Sequence, residues 1–357
     1  MTMDRKINLI EILKDKASIL RATLSINRYV SSIHVAILRA TSHDPSSQPS
    51  DARIAAVLDL GRSSRLAACT CIDILMDRLH ATQNVFVALK CLYAIHNVVS
   101  KGSFILKDQI SYHPSFGGRN FLNMTAFSDK SDSDTWEFSL WVRWYAGVVE
   151  QNLMVARAIG YYLIGSEIKR LENRNKAVAL LNSDLVTEIE VLVEFVARVC
   201  DAPESLSLQR NNLVYEIVKA ASEDYRAVQC EISVRVREIE DRVERLSLSE
   251  LTRVIDALRK LEDCQERLVL LFVNRKRNDR LWETVRKTRA KLAETKEQRE
   301  EKRLVVRTMS SNRRRRDELS EPAQCWNPFL EPGQLLLLPS GGGGWLGTGM
   351  GPTPIAV

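Results

Sequence analysis

NVFVALKCLYAIHNVV (Asn84–Val99) is apolar on most of its faces, with one lysine and one histidine set among Val, Ala, Leu, Phe and Ile. A helix of that kind belongs in the middle of a bundle or solenoid. LAACTCIDILMDRL (Leu66–Leu79), just upstream, reads the same way. These two segments set the expectation of an all-α fold. His96, inside the most apolar segment, reads as a hydrogen-bonded core histidine.

Working outward, helical periodicity continues in both directions. Ile10, Leu13, Ala17, Leu20 and Leu24 recur at spacings of three and four, with Lys14, Asp15, Lys16 and Arg21 between them, which predicts an amphipathic helix. A second helix is expected over Tyr29–Arg39, followed by the polar loop TSHDPSSQPSD, and the pattern resumes over 52–60. Residues 111–134 are rich in Ser, Asn, Gly and Asp and read as a long loop with one short helix. TWEFSLWVRWYAGVVEQNLMVARAIGYYLIG then predicts a long aromatic helix. Trp141, Trp144, Tyr145 and Val148 share one face there, an aromatic stripe expected in the core. Leu185, Ile189, Leu192, Val196 and Val199 form a further stripe that ends at CDAPES, where Pro203 breaks the helix. Ser247 and Glu250 have capping-box spacing before Leu251, Val254, Leu258 and Leu261.

After about residue 275 the apolar residues thin out, and KTRAKLAETKEQREEKR is charged almost throughout, as a solvated helix would be. Arg313–Arg316 close that segment, and from about 318 the composition changes to Pro, Gly, Ser and a short leucine run, with GGGG at 341–344. The expected organisation is a helical domain over 1–275, a basic charged helix over 276–317 and a disordered tail over 318–357.

Composition narrows the function. The chain has 357 residues, 45% of them hydrophobic, with a net charge of +6. That balance suits an acidic partner without requiring one. Its seven cysteines (69, 71, 91, 200, 230, 264 and 325) are scattered and read as buried thiols of a reducing compartment. The N-terminus is charged within four residues and has no unbroken apolar run, so it does not read as a signal peptide. No segment reaches the roughly 18 apolar residues of a membrane span, so membrane contact is expected to be peripheral. Phosphate-binding glycine loops, HExxH and GxSxG are missing, and His34, His43, His80, His96 and His113 show no ligand spacing. Catalysis, a cofactor and a metal are therefore not expected. Arg313–Arg316 and KRLVVR raise nucleic acid as a partner, but no aromatic residue interleaves them, so none is expected.

LRATSHDPSSQP (Leu38–Pro49) ends a helix on a basic residue, and a loop leads from it to Arg53 at the next helix start. Arg39, His43 and Arg53 are candidates to converge on one anion. By composition alone the plainer reading prevails, that they are solvent-exposed charges flanking a loop. ATSHDP resembles the signature of ANTH domains, the phosphoinositide-binding domains of clathrin assembly proteins. VALKCLYAIHNVVSKGSFIL (Val87–Leu106), GGRNFLNMTAFSD (Gly117–Asp129) and LWVRWYAGVVEQ (Leu140–Gln151) resemble further family blocks in the same order. HDPSSQP and the Trp-rich helix are most similar to the plant members.

The resemblance covers 5–275 and implies a right-handed helical solenoid. It implies a peripheral adaptor that binds phosphatidylinositol 4,5-bisphosphate and recruits clathrin and adaptor proteins in endocytosis and vesicle budding. SNARE cargo, coated pits and vesicles, the plasma membrane and the Golgi belong to the same expectation. Carried over by position, Arg39 takes the first basic site, and the later cluster falls on Ser50, Asp51, Ala52 and Arg53, where only Arg53 is a cation. That departure supports the alternative of a helical interaction scaffold without specific phosphoinositide binding. In the tail, Asn327, Pro328 and Phe329 spell NPF, a peptide that EH-domain proteins recognise through a turn and one aromatic anchor.

Overall fold

The computed structural model describes residues 2–24, 27–45, 48–62, 64–111, 121–131, 133–163, 175–204, 208–271 and 279–318. Among them the regular structure is helical: α1 (Thr2–Thr23), α2 (Arg28–Ala40), α3 (Asp51–Leu60), α4 (Arg65–Ala81), α5 (Val85–Lys101), α6 (Phe104–Ser111), α7 (Ser133–Ile159), α8 (Asn182–Cys200), α9 (Asn212–Asp241), α10 (Leu248–Asp263), α11 (Gln265–Leu271) and α12 (Asp279–Glu318). Local chemistry starts many of them. Asn27, Ser50, Ser64, Asn84, Asn211 and Ser247 each accept a hydrogen bond from a first-turn amide. Ser247 and Glu250 form the reciprocal capping box expected from their spacing.

Packing runs along the chain. α1 lies on α2, α2 on α3 and α4, α4 on α5 and α6, α5 on α7, α7 on α8, and α8 on α9 and α10. Each helix meets mainly its near neighbours, which is the all-α solenoid arrangement. α5 is buried nearly all round, from Val85 to Val99, as its composition demands. Trp141, Tyr145 and Val148 are buried with Trp144, whose indole N–H donates to the Arg198 carbonyl at 3.1 Å. The Leu185–Val199 stripe of α8 is wholly buried. Cys71, Cys91, Cys200 and Cys264 are buried thiols, while Cys69 and Cys230 are half-buried.

Two regions differ from their sequence reading. The apolar stripe of α1 faces outward: Leu13, Leu20 and Leu24 are 62, 61 and 76% exposed, and it is Ala22 that is buried. The Ser31 hydroxyl donates to the Ala22 carbonyl, so the opposite, mixed face of α1 docks on α2. Periodicity marks an apolar face but does not say which surface covers it. At the other end, the chain forms two compact units, Met1–Glu301 and Lys302–Val357. The first unit therefore takes in residues beyond 275. Leu281, Trp282, Val285 and Leu292 are buried there, and Arg289 pairs with Glu262 at 3.0 Å. A narrow stripe of four apolar side chains suffices for packing when flanking cations reach neighbouring carboxylates. In the second unit residues 302–318 are helical.

Candidate functional site

The site grows from the end of α2. Thr41 closes that helix, and its hydroxyl donates to the Ile37 carbonyl at 2.7 Å. Two cations from the central helices then hold the loop that follows. Arg78 of α4 donates through Nε to Thr41 Oγ1 and through Nη2 to the Thr41 carbonyl, both at 2.6 Å. Lys90 of α5 donates through Nζ to the carbonyls of Ser42 (3.0 Å) and Asp44 (2.6 Å) and to the Ser42 hydroxyl (3.2 Å). The Lys90 side chain is buried, and burial pushes its ammonium down to about 8. Asp44 and Asp15 oppose that shift, while Arg53 and Arg78 add to it.

The clamped loop carries His43. Its backbone N–H donates to Asp15 Oδ2 at 2.8 Å, and its Nδ1 lies 2.6 Å from Asp15 Oδ1. Arg78 Nη2 approaches the same Oδ1 at 3.7 Å. Burial works to raise the Asp15 carboxyl, but the hydrogen bonds from the His43 ring and amide, with the charges of His43 and Arg78, hold it below the ordinary carboxylate value. Burial, reinforced by Arg78, also lowers His34 on α2. Lys14, His34, His43, Arg78, Asp77 and Lys130 line a cleft of about 1160 Å³ beside this cluster.

The three residues singled out in the sequence are thus placed differently. Arg39 and Arg53 are exposed, and neither guanidinium forms an ion pair with a described residue. His43 is half-buried and turned onto Asp15. The positions where cations are missing have another role: the Ser50 hydroxyl caps α3 by accepting the Arg53 N–H at 3.4 Å, and Asp51 sits in its first turn. An acidic residue there complements the helix dipole. Asp15, Arg78 and Lys90 were not anticipated. A lysine inside the most apolar helix was the available signal, because a buried ammonium must find acceptors. Asn327, Pro328 and Phe329 lie outside the described residues. Among the described residues no helix is long and apolar enough to cross a membrane, and no group of His, Cys, Asp and Glu is placed to hold a metal.

Comparison with known proteins agrees with this architecture. The family model for the ANTH domain matches residues 32–276. The Arabidopsis thaliana "Putative clathrin assembly protein At4g40080" is 38% identical over 266 residues, covering 73% of this chain and 73% of that protein. "Putative clathrin assembly protein At5g10410", from the same organism, is 28% identical over 281 residues, covering 75% of this chain and 80% of its own length. "Putative clathrin assembly protein At5g65370", also from Arabidopsis, is 28% identical over 276 residues, covering 72% and 89%. With a family match over most of its length and a helical solenoid to carry it, this chain belongs to the ANTH domain family.

Proposed function

We propose that the chain is a peripheral membrane adaptor of clathrin coats, reading phosphatidylinositol 4,5-bisphosphate through the surface formed by α1, the end of α2 and the start of α3. The observation that carries this reading is the outward apolar stripe of α1. Leu13, Leu20 and Leu24 are exposed, and at 100° per residue the exposed Lys14, Lys16 and Arg21 flank them on both sides. An apolar stripe between cations suits a helix lying in the headgroup layer of an anionic leaflet. Arg39 and Arg53, exposed and without acidic partners among the described residues, supply further phosphate contacts. Family membership and the clathrin assembly proteins it resembles support the coat role. Recruitment of EH-domain proteins through Asn327-Pro328-Phe329, capture of SNARE cargo, and residence at coated pits, the plasma membrane or the Golgi are parts of the same proposal.

The second reading, a helical scaffold without specific phosphoinositide binding, is favoured by Ser50, Asp51 and Ala52. Co-sedimentation of the full chain with vesicles separates the two. One set of vesicles contains phosphatidylinositol 4,5-bisphosphate, and the other is matched to it in total charge with phosphatidylserine. Binding that requires the bisphosphate and falls at least about tenfold in Arg39→Glu/Arg53→Glu supports the adaptor. Binding that tracks bulk charge alone, or none, leaves the scaffold.

A further inference from the structure

We infer that Asp15 is a built-in stand-in for a phosphate: its carboxylate occupies an anion site formed by the His43 amide, the His43 ring and Arg78, and an incoming phosphate monoester displaces it and frees α1. The inference deepens the membrane reading above and rests on it for the physiological ligand.

The geometry is that of an anion held in a cradle. One carboxylate takes a backbone N–H at 2.8 Å, an imidazole nitrogen at 2.6 Å and a guanidinium at 3.7 Å. A backbone amide, a histidine and an arginine converging on two oxygens are donors that serve a phosphate equally well. Arg78 and Lys90 stand behind and beside this position. Arg78 is fixed by Thr41, Lys90 by Ser42 and Asp44, and Arg53 is near enough to bear on Lys90. Asp15 and Asp44 are the carboxylates that act on Lys90, and Asp77 and Asp129 line the adjoining cleft. Of Asp15 and Asp44, only Asp15 belongs to α1.

The loop does not depend on Asp15 for its shape, because Arg78 and Lys90 hold residues 41–44 through other atoms. The cradle therefore persists when Asp15 leaves. α1 packs chiefly on α2, so withdrawing it leaves the rest of the solenoid in place. The adjoining cleft of about 1160 Å³ has room for an inositol ring bearing several phosphates. The exchange trades one charge for nearly two among the same donors. It also releases the helix that carries the exposed leucines.

The test uses the full chain in three forms: wild type, Asp15→Asn, and Asp256→Asn, which removes the same charge from an exposed site on α10. Two probes are titrated into each, soluble inositol 1,4,5-trisphosphate and vesicles carrying phosphatidylinositol 4,5-bisphosphate in neutral lipid. The expected result is a gain of about tenfold for Asp15→Asn on both probes, unmatched by Asp256→Asn. A gain on the trisphosphate while all forms ignore vesicles keeps the anion site and ends the membrane reading. Wild-type binding to vesicles with no gain for Asp15→Asn on either probe keeps the membrane reading and overturns this one. A gain on vesicles alone also overturns it, since an apolar helix and not anion exchange is then responsible. Failure of every form on both probes ends both readings. Should Asp15→Asn not fold, trypsin decides with the wild type: the trisphosphate must speed cleavage at Lys14, Lys16 and Arg21, and unchanged cleavage overturns the inference.

Discussion

The His96 ring bridges Tyr145 and Asp224, with Nδ1 2.7 Å from the tyrosine hydroxyl and Nε2 2.8 Å from Asp224 Oδ2. Asn152 donates to the same carboxylate oxygen at 2.5 Å. This buried relay ties α5, α7 and α9 together at the centre of the solenoid. Replacing Asp224 by Leu strands the His96 and Asn152 donors, at about 1–3 kcal/mol each. Urea unfolding should show that loss. The double variant His96→Phe/Asp224→Leu should lose less than the sum of its two single changes, because the two residues share one interaction.

Lys90 makes stability depend on pH. Its ammonium is pushed from 10.5 in the unfolded chain to about 8 in the fold. Between those values the unfolded chain binds the proton and the folded one does not, so this residue's contribution to stability rises with pH through that window and is smallest below about 8. Lys90→Met removes the dependence but leaves the Ser42 and Asp44 carbonyls without their buried donor. The variant should melt lower than the wild type near pH 7. The gap between the two curves should widen from pH 8 to 10, read by calorimetry.

Gly61 is a point of close backbone approach. A β-carbon there would lie 2.1–2.5 Å from the side-chain carbons of Leu106, which is fully buried and has nowhere to move. Gly61→Ala should cost about 1–3 kcal/mol by overpacking. Adding Leu106→Ala should recover part of that loss on the Gly61→Ala background, although Leu106→Ala alone destabilises.

The extent of the first compact unit can be tested by truncation. A chain ending at 301 keeps Leu281, Trp282, Val285 and Leu292 on their neighbours, and a chain ending at 275 exposes the surfaces they cover. The shorter chain should be less stable by about 3 kcal/mol or more, after the ordering cost of the lost helix is set against the burial. Equal melting temperatures for the two would place the edge of the cooperative unit at 275.

Residue types and spacing were enough to identify α1 to α5, α7, α8, α10 and the charged α12, together with the central position of α5, the aromatic face of α7, the α8 stripe and the Ser247 cap, whereas α6, α9 and α11 went unread. Each depends on contacts within a few residues or on how apolar a segment is overall. The family blocks likewise stood in the linear order of residues. His43 was legible as a candidate and Arg78 was not, because Arg78 reads as an ordinary polar position of α4 until Thr41 is brought beside it. The direction of the α1 stripe was equally hidden, since a helix carries the same periodicity whether its apolar side meets protein or solvent.

The amino-acid sequence by itself therefore determined an all-α fold built around a central apolar helix, since helical period, capping and overall apolarity are properties of short segments, and the solenoid followed from the family resemblance. Only the tertiary structure decided that Asp15 faces His43 across 28 residues of chain, that Lys90 spends its charge on two loop carbonyls, and that Arg39 and Arg53 stay exposed. The reason is physical. A charge is neutralised or left available by its neighbours in space, within a few ångströms, and distance along the chain does not set those neighbours.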